Sequence, residues 1–278
     1  MQRAIKQFIL FLFITLCLHT QAAAFPKHNS VPGGIAILAI APTSAKRPIV
    51  HYEGNRVTVV PHQKEWVSLV GIPLDATTGT HKISITHPVT QKRFDALFQV
   101  TPKNYRLQRL TIRNKNKVNP NKKSTERIIR ELAVQKRLKT QFSEREAQLD
   151  FMKPVKGRDS GRFGLRRIIN GQKRNPHSGM DIAAPTGTPV RATTDGQVLY
   201  TGDFFFSGNV VYVDHGSGVI SMYAHLSKTN VQPGQWISKG QIIGEVGSTG
   251  RVTGPHLHWS VYLNGQVIDP GLFTQKMN

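Results

Sequence analysis

Cysteine and acidic residues are scarce in this chain of 278 residues. The single cysteine, Cys17, lies within the first 24 residues, so a chain that loses them has no thiol for a disulfide bond or for thiol chemistry. Acidic residues number 16 against 37 lysines and arginines, which gives a formal net charge of +21. Aromatic residues make up only 8% of the chain, but apolar residues make up 38%, enough for the cores of two ordinary domains.

The chain also lacks an apolar run long enough for a confident membrane span, because its first run extends only from Phe8 to Leu18. Arg3 and Lys6 precede this run, and three alanines ending at Ala24 follow it. This pattern predicts a secretory signal peptide over residues 1–24. The alternative is an uncleaved signal anchor, which the alanine run argues against. We therefore expect export to the periplasm or cell envelope, or secretion.

The positive charge is concentrated in residues 101–175, which contain 22 Lys and Arg against 6 Asp and Glu, an excess of 16. Such a field attracts polyanions without sequence specificity. Export removes most of the case for nucleic acid, so we expect anionic envelope polymers as partners and no specific nucleic acid. The alternative is a solvated face that only aids solubility.

Short apolar segments separated by turn residues fill residues 33–114. The candidate strands are Gly34–Ile40, Ile49–Tyr52, Val57–Val60, Trp66–Ile72, His81–His87, Phe94–Val100 and Gln108–Arg113. Their spacing predicts a small antiparallel sandwich or barrel. Residues 115–150 differ, because a basic segment rich in Asn and Pro precedes apolar residues at helical spacing, which predicts a connecting helix over Ser124–Leu149.

From Pro154 onward, β-forming runs again alternate with Gly, Asp and Pro, which favours a compact antiparallel β domain with long loops. The candidate strands are Val190–Ala192, Gln197–Tyr200, Asn209–Val213, Val219–Ala224, Gln241–Val246 and His256–Leu263. We therefore predict a mainly β protein with four parts. These are a signal peptide (residues 1–24), an N-terminal β domain of sandwich-like type (25–114), a basic helical linker (115–153) and a C-terminal antiparallel β domain (154–278).

The segment Pro255-His256-Leu257-His258 is the most informative motif in the chain. Residues i and i+2 of a strand project from the same face, so His256 and His258 can converge on one point. The β-forming residues that follow lead to Asn264-Gly265, a strong signal for a two-residue hairpin. A strand that carries both imidazoles on one face is what a metal site requires.

Three more candidate site residues lie upstream of this motif. His177 and Asp181 are four residues apart, and Gly179 with the nearby prolines predicts a loop or short turn there. His225 ends a third apolar run. Each histidine alone is consistent with ordinary packing, but four histidines and an aspartate in one β domain predict a catalytic zinc site, which takes three protein ligands and keeps a position for water.

The remaining histidines do not form such a set. Those of the N-terminal domain are scattered and lack partners at ligand spacing, so we expect surface or core positions for His51, His62, His81 and His87. His215, in the turn-like sequence Asp214-His215-Gly216, is expected to be structural.

Residues 154–272 resemble the catalytic domain of the lysostaphin-type (LytM-like) zinc metallopeptidases, which cut peptide cross-bridges in bacterial peptidoglycan. The stretches that carry the resemblance are SGRFGLRR (160–167), HSGMDIAAPTGTPVRA (177–192), DGQVLYTGD (195–203), YAHLS (223–227) and GSTGRVTGPHLHW (247–259). Residues 33–132, with VGIPLDA at 70–76, resemble the N-terminal domain that accompanies this catalytic domain in some Gram-negative envelope members.

The resemblance implies that His177, Asp181 and His258 bind zinc (Zn2+) and that His225 and His256 flank the open coordination position. One of these two histidines would accept a proton from metal-activated water and the other would hydrogen-bond the oxyanion, with either assignment open. The implied function is that of a zinc metalloendopeptidase that hydrolyses peptidoglycan cross-links. In a Gram-negative host, the family favours D-alanyl–diaminopimelate links. The loops at Phe204–Gly208 and Ser248–Gly254 are expected to wall the substrate groove.

Two other functions compete with this one. A catalytically silent envelope module that activates a cell-wall amidase is the first, but silent members usually lose metal ligands, and all five positions are filled here. A basic wall-binding or nucleic-acid-binding protein is the second, and it leaves the histidine set unexplained.

Overall fold

The structure, a computed structural model, describes residues 25–274. The predicted signal peptide, residues 1–24, lies outside the described residues. Between residues 25 and 274, no helix is long and apolar enough to cross a membrane. Strands far outnumber helices in this range, which confirms a mainly β protein.

The N-terminal domain is a sandwich of two antiparallel sheets, one of the two architectures that the sequence left open. One sheet has the order β1-β5-β4 and the other β3-β2-β6-β7. Its strands are β1 (Ile35–Pro42), β2 (Ile49–Tyr52), β3 (Asn55–Arg56), β4 (Thr58–His62), β5 (Glu65–Gly71), β6 (Gly79–Thr86) and β7 (Arg93–Val100). Inward side chains of both sheets, such as Val70 and Ile83, share one core.

The connection to the C-terminal domain contains β8 (Leu107–Leu110), α1 (Lys115–Val118) and α2 (Lys122–Lys139). The side chain of Asn121 caps α2 by accepting a hydrogen bond from the Ser124 N–H at 2.9 Å. The prediction that this helix extends to Leu149 is wrong. The apolar residues beyond Lys139 belong to an extended segment instead, in which Phe142 packs over Gly218.

The C-terminal domain is built on a ten-stranded antiparallel sheet with the main strand order β17-β14-β15-β16-β19-β12-β9. The elements are β9 (Arg158–Gly161), β10 (Arg166–Ile169), β11 (Gln172–Arg174), β12 (Met180–Ala183), β13 (Pro189–Arg191), β14 (Gly196–Phe204), β15 (Gly208–Asp214), β16 (Ile220–Thr229), β17 (Trp236–Ile237), β18 (Ile242–Val246), β19 (His256–Leu263), β20 (Gln266–Ile268) and a 3-10 turn (Pro270–Leu272). Strand β19, which carries the two-histidine motif, lies between β16 and β12 near the middle of the sheet.

Contacts join the two domains closely. Strand β8 pairs in parallel with β10, which in turn pairs with β11. The side chain of Asn264, at the hairpin after β19, accepts from the Gly71 N–H at 2.7 Å and donates to its carbonyl at 3.0 Å. Ile35 and Leu69 belong to the same buried cluster as Trp259. The core of the C-terminal domain therefore includes side chains of the N-terminal sandwich.

Candidate active site

Strands β12 and β19 set Asp181 and His258 side by side. The two residues are a direct cross-strand pair, so their side chains project from the same face of the sheet. Asp181 Oδ1 lies 2.8 Å from His258 Nδ1. The predicted loop or turn at Asp181 is wrong, since this residue lies in β12, a strand of four residues that is too short to produce a clear alternating pattern.

His177 reaches the same point from the segment just before β12. Its main chain is tied to the neighbouring loop, because its N–H donates to the Leu165 carbonyl at 2.9 Å and its carbonyl accepts from the Gly164 N–H at 2.8 Å. His177 Nε2 lies 2.8 Å from Asp181 Oδ1 and 3.0 Å from His258 Nδ1. Among the described residues, these three side chains form the one cluster of His, Cys, Asp or Glu that fits a metal ion.

Hydrogen bonds on the far side of each imidazole fix which nitrogen faces the cluster. His177 Nδ1 lies 2.8 Å from the Arg162 carbonyl and must donate to it, which leaves Nε2 without a proton. The hydroxyl of Ser260 donates to the Ser178 carbonyl at 2.7 Å, so it accepts from His258 Nε2 at 3.0 Å. His258 Nδ1 is then the free nitrogen. Both rings therefore direct a lone pair at the Asp181 carboxylate.

Three hydrogen-bond acceptor atoms thus converge with no proton between them. A bound cation would offset the repulsion between their lone pairs. Two neutral imidazole nitrogens and a carboxylate oxygen are a common donor set for catalytic zinc. Tetrahedral ligands at about 2.0–2.2 Å from zinc lie roughly 3.4 Å apart, so the atoms of His177, Asp181 and His258 need to separate by only about half an ångström. The three residues therefore fit a zinc ion.

Electrostatics favours the ionisation states that a metal needs. Burial lowers the pKa of His258 to about 4, so its ring is neutral at neutral pH. A neighbouring guanidinium stabilises the ionised form of the Asp181 carboxylate. This guanidinium belongs to Arg167 and forms an ion pair, with Nη2 3.3 Å from Asp181 Oδ2. The carboxylate is therefore ionised while the His258 imidazole is neutral.

A bulge in β16 directs His225 toward this cluster. Ala224 pairs with His258 of β19, whereas Leu226 already pairs with Val246 of β18. His225 lies at this change of partner and has a φ of +64°, which is uncommon for a residue with a side chain. Its ring centroid is 5.9 Å from that of His258. The strained backbone thus serves to aim one imidazole at the site.

His225 and His256 form a pair beside the three-residue cluster, with ring centroids 4.8 Å apart. His225 Nδ1 donates to the Thr249 carbonyl and His256 Nδ1 to the Gly254 carbonyl, each at 2.8 Å. Both rings therefore present an Nε2 lone pair, and that of His256 lies 3.7 Å from Asp181 Oδ1. Burial, followed by the charges of His258 and His256, lowers the pKa of His225 to about 3.

A glycine allows the strands to approach closely at the centre of the site. A Cβ on Gly179 would lie 2.5 Å from the Trp259 carbonyl and 2.7 Å from both His258 Nε2 and Ser260 Oγ. Distances below 3.0 Å are not tolerated, so a side chain here would displace the His258 ring. In the sequence, Gly179 suggested a turn. The structure instead requires a glycine here so that the main chain can pack closely against His258, a candidate metal ligand.

The site opens into a cleft whose walls come from the C-terminal domain and from the connection that contains β8. One wall includes Arg251, Val252 and Thr253, so the loop Ser248–Gly254 lies where the sequence predicted. Within the described part of the chain, no residue of Phe204–Gly208 lines the cleft, and that turn packs behind the loop through Phe206. That this second loop walls the substrate groove stays a prediction.

Sequence reasoning missed several residues of the site. The opposite wall includes Gln108 of β8, and Arg167 lies beside it and donates from Nε to its side-chain oxygen at 3.1 Å. Ser260 was also missed, although its position two residues after His258 places it on the same face of β19. The i+2 spacing from His258 could have identified Ser260 in the sequence. No sequence signal could have identified Gln108, because its position depends on the pairing of β8 with β10.

The other histidines of residues 25–274 do not contribute to the site. His215 is fully buried, where its Nδ1 donates to the Asp195 carbonyl and its Nε2 contacts Ser221 Oγ, both at 2.7 Å. Burial lowers its pKa to about 4. The N-terminal histidines lie outside the metal-type cluster, and His81, for example, lies 2.7 Å from the Tyr52 hydroxyl. Their structural interpretation agrees with these positions.

Comparison with known proteins identifies both domains. Residues 175–270 match the family model "Peptidase family M23" and residues 28–103 match "Peptidase family M23 N-terminal domain". Peptidoglycan DD-endopeptidase ShyA of Vibrio cholerae is 45% identical over 41% of this chain and 27% of its own length. DD-carboxypeptidase/endopeptidase Mpg of Neisseria meningitidis is 49% identical over 34% of this chain and 22% of its length. The chain thus matches about a quarter of these curated relatives.

A solved structure matches much more completely. A crystal structure from Pseudomonas aeruginosa, described as a peptidase M23, is 37% identical with a TM-score of 0.75. The similarity covers 88% of this chain and 95% of that one. The resemblance inferred from the histidine motifs is therefore confirmed, and the chain belongs to peptidase family M23, with the N-terminal domain of that family preceding the peptidase domain.

Proposed function

We propose that this protein is a zinc-dependent metalloendopeptidase that hydrolyses the peptide cross-links of bacterial peptidoglycan. The observation that carries the proposal is the convergence of His177 Nε2, Asp181 Oδ1 and His258 Nδ1 within 3.0 Å of one another, beside two further imidazoles. The names of the two curated relatives, both DD-peptidases of this family, support the substrate class. A D-alanyl–diaminopimelate link is the bond that we propose.

His177, Asp181 and His258 would hold the metal. Bound zinc would act as a Lewis acid on the scissile carbonyl and would make a water acidic enough to react near neutral pH. Arg162, through its carbonyl, and Ser260 would keep the two imidazoles in the tautomers that this binding requires. Burial of all three side chains would exclude competing ligands.

His225 and His256 would carry out the proton transfers of the reaction. Because each ring donates from Nδ1 to a main-chain carbonyl, each holds an Nε2 lone pair ready to accept a proton from water. An imidazole that has accepted this proton carries N–H groups on both nitrogens. It can then hydrogen-bond the developing oxyanion of the substrate or return the proton to the leaving amine. The two rings are close enough to each other to share these tasks on one substrate.

The alternative, a silent module that activates an amidase, is not favoured. Residues that can bind a metal are present at all three candidate ligand positions. Hydrogen bonds hold His177 and His258 in the tautomers that metal binding requires. A protein without metal chemistry has no need for three converging acceptors, which are costly to bury without a cation.

The location that we propose is the periplasm or cell envelope. It is supported by the apolar and alanine-rich sequence of residues 1–24 and by the substrate class. Detection of the mature protein in a periplasmic fraction, with a new N-terminus near Phe25, tests it. Retention of the full chain in the cytoplasm would contradict it.

Digestion of purified sacculi tests the proposed reaction directly. The zinc-loaded protein should release peptides whose new termini, identified by mass spectrometry, are the D-alanine carboxylate and the diaminopimelate amine. A chelator should stop the release and added zinc should restore it. No release by the protein alone, together with faster release of whole stem peptides by an added amidase, would instead support the activator function.

A further inference from the structure

One guanidinium in the cleft has no hydrogen-bond or ion-pair partner among the described residues. Arg251 lies on the loop between β18 and β19 and lines the same cleft as His225 and His256. Between residues 25 and 274, its side chain makes no hydrogen bond to an acceptor and no ion pair with a carboxylate. Within that range, the one cation–π contact of this guanidinium is with the ring of Phe206, whose centroid lies 4.3 Å from Arg251 Cζ. The cation is therefore free to bind a ligand.

The position of Arg251 is fixed although its charge is unpaired. Its main-chain N–H donates to the Phe206 carbonyl at 2.8 Å, so the loop is held against the turn behind it. The Phe206 ring lies against the guanidinium and limits its movement on that side. A guanidinium that is already oriented loses less side-chain entropy when it binds an anion.

Two guanidinium groups line this part of the cleft, and among the described residues only one of them has a carboxylate partner. Arg167 is also there, but it is paired with Asp181 and donates to Gln108. Burial, followed by the charges of Arg167 and Arg174, lowers the pKa of Arg251 to about 10, so it remains a cation at neutral pH in a partly desolvated place. An unpaired charge under these conditions is costly unless an anion completes it.

We propose that Arg251 binds a substrate carboxylate adjacent to the scissile bond, an inference that rests on the proposed function. A guanidinium binds a carboxylate through two parallel hydrogen bonds, which fix orientation as well as charge. In a D-alanyl–diaminopimelate link, the carbon that bears the leaving nitrogen also bears a free carboxylate. Binding that group from the loop that follows β18 would place the scissile bond beside His225 and His256. Arg251 is then a substrate-binding residue that selects for this carboxylate.

Two synthetic cross-linked peptides test the proposal, identical except that one has the carboxylate next to the leaving nitrogen and the other a carboxamide. For the zinc-loaded wild-type protein, we expect kcat/KM to be about tenfold to a hundredfold higher on the carboxylate peptide, the range of a charge-assisted hydrogen-bond pair. Arg251→Gln should bring the ratio close to one, mainly through KM. Arg251→Lys, which keeps the charge but loses the two-pronged geometry, should give an intermediate ratio.

Arg93→Gln is the matched control, since it removes the same charge from an exposed residue of the N-terminal domain. It should keep the wild-type ratio. Zinc content should equal that of wild type in every variant, which separates substrate binding from damage to the metal site. Equal kcat/KM on both peptides for wild type, or an unchanged ratio in Arg251→Gln, would overturn the carboxylate site while leaving the proposed function intact. Hydrolysis of neither peptide by wild type would overturn both.

Discussion

Ser260 Oγ lies 3.0 Å from His258 Nε2 and 2.7 Å from the main-chain carbonyl of Ser178. Because the hydroxyl has one proton, which goes to the carbonyl, Ser260 accepts from His258 and leaves Nδ1 free for a metal. We expect Ser260→Ala to weaken zinc binding by about tenfold to a hundredfold, the usual effect of losing a group that orients a ligand. Competition with a chromogenic chelator measures this affinity.

Ser178→Ala is the control for this variant. The Ser178 side chain is exposed, while the carbonyl that matters is retained in the alanine variant. Its zinc affinity should therefore equal that of wild type. If Ser260→Ala also binds zinc like wild type, the tautomer of His258 does not depend on the serine.

Replacement of the two flanking histidines should separate metal binding from turnover. His225→Ala and His256→Ala keep the three metal-type side chains, so we expect each variant to retain zinc. Each should lose about a hundredfold or more in kcat on a soluble cross-linked peptide, since proton transfer or oxyanion stabilisation is lost. Near-wild-type hydrolysis by either variant would show that its histidine is not catalytic, and loss of zinc would make it a ligand.

Much of this architecture was predictable from local sequence. The strand Ile49–Tyr52 and the strand His256–Leu263 have the predicted bounds, because alternating β-forming residues end at clear turn signals. The spacing of His256 and His258 correctly predicted a shared strand face. These features depend only on neighbours in the sequence. The five candidate site residues could be named from local motifs, and their roles stay predictions.

Features that depend on distant contacts were not predictable. The short strand at Asp181 exists because β19 and β9 pair with it on both sides, although four residues give no periodic signal. The helix α2 ends at Lys139 because the following apolar residues pack onto the catalytic domain as an extended segment, whereas helical spacing alone suggested continuation to Leu149. Gln108 reaches the cleft only through the parallel pairing of β8 with β10.

The buried His215 should make folding stability depend on pH. Its folded pKa of about 4 lies below the usual 6.5, so the unfolded chain binds more protons between these values and stability falls as pH decreases through this window. The contribution is complete above pH 6.5, and about 2 kcal/mol of it should be lost by pH 5. Urea unfolding at pH 7.5 and pH 5, in a chelator, measures the change.

His215→Gln provides the comparison for this measurement, since glutamine is polar but does not titrate. Other buried histidines also lose stability in acid, so the quantity of interest is the difference between wild type and variant at each pH. That difference should shift by about 2 kcal/mol in favour of the variant on going to pH 5. A constant difference would show that His215 does not titrate as its burial implies.

The basic stretch from Lys103 to Arg174 should bind anionic envelope material through screened charge. Exposed charges act over about 8–10 Å at physiological salt, so binding to envelope fragments should weaken steeply as salt rises, whereas cleavage of a small soluble peptide should change much less. Charge reversal at Lys115, Lys122 and Lys123 should have the same effect as salt. Lys117 is better left intact, because its ammonium lies 4.0 Å from the Phe205 ring centroid and donates to that residue's carbonyl.

Two results would contradict the prediction that the basic stretch binds envelope material through its charge. These are binding to envelope fragments that does not respond to salt, or an equal loss of activity on small soluble peptides. Either result would favour the alternative, in which the stretch is only a solvated face. Because the net excess of 16 positive charges is local, reversal of Arg93 in the N-terminal domain should have little effect.

The zinc content of the purified wild-type protein and of His258→Ala is the most direct test of the central claim. The site depends on three converging acceptors, and two protein ligands are too few for a catalytic zinc of this type. We predict about one zinc ion per chain in wild type and close to none in His258→Ala, with the N-terminal domain still folded. Near-stoichiometric zinc in the variant, or none in the wild-type protein after loading, would contradict the account.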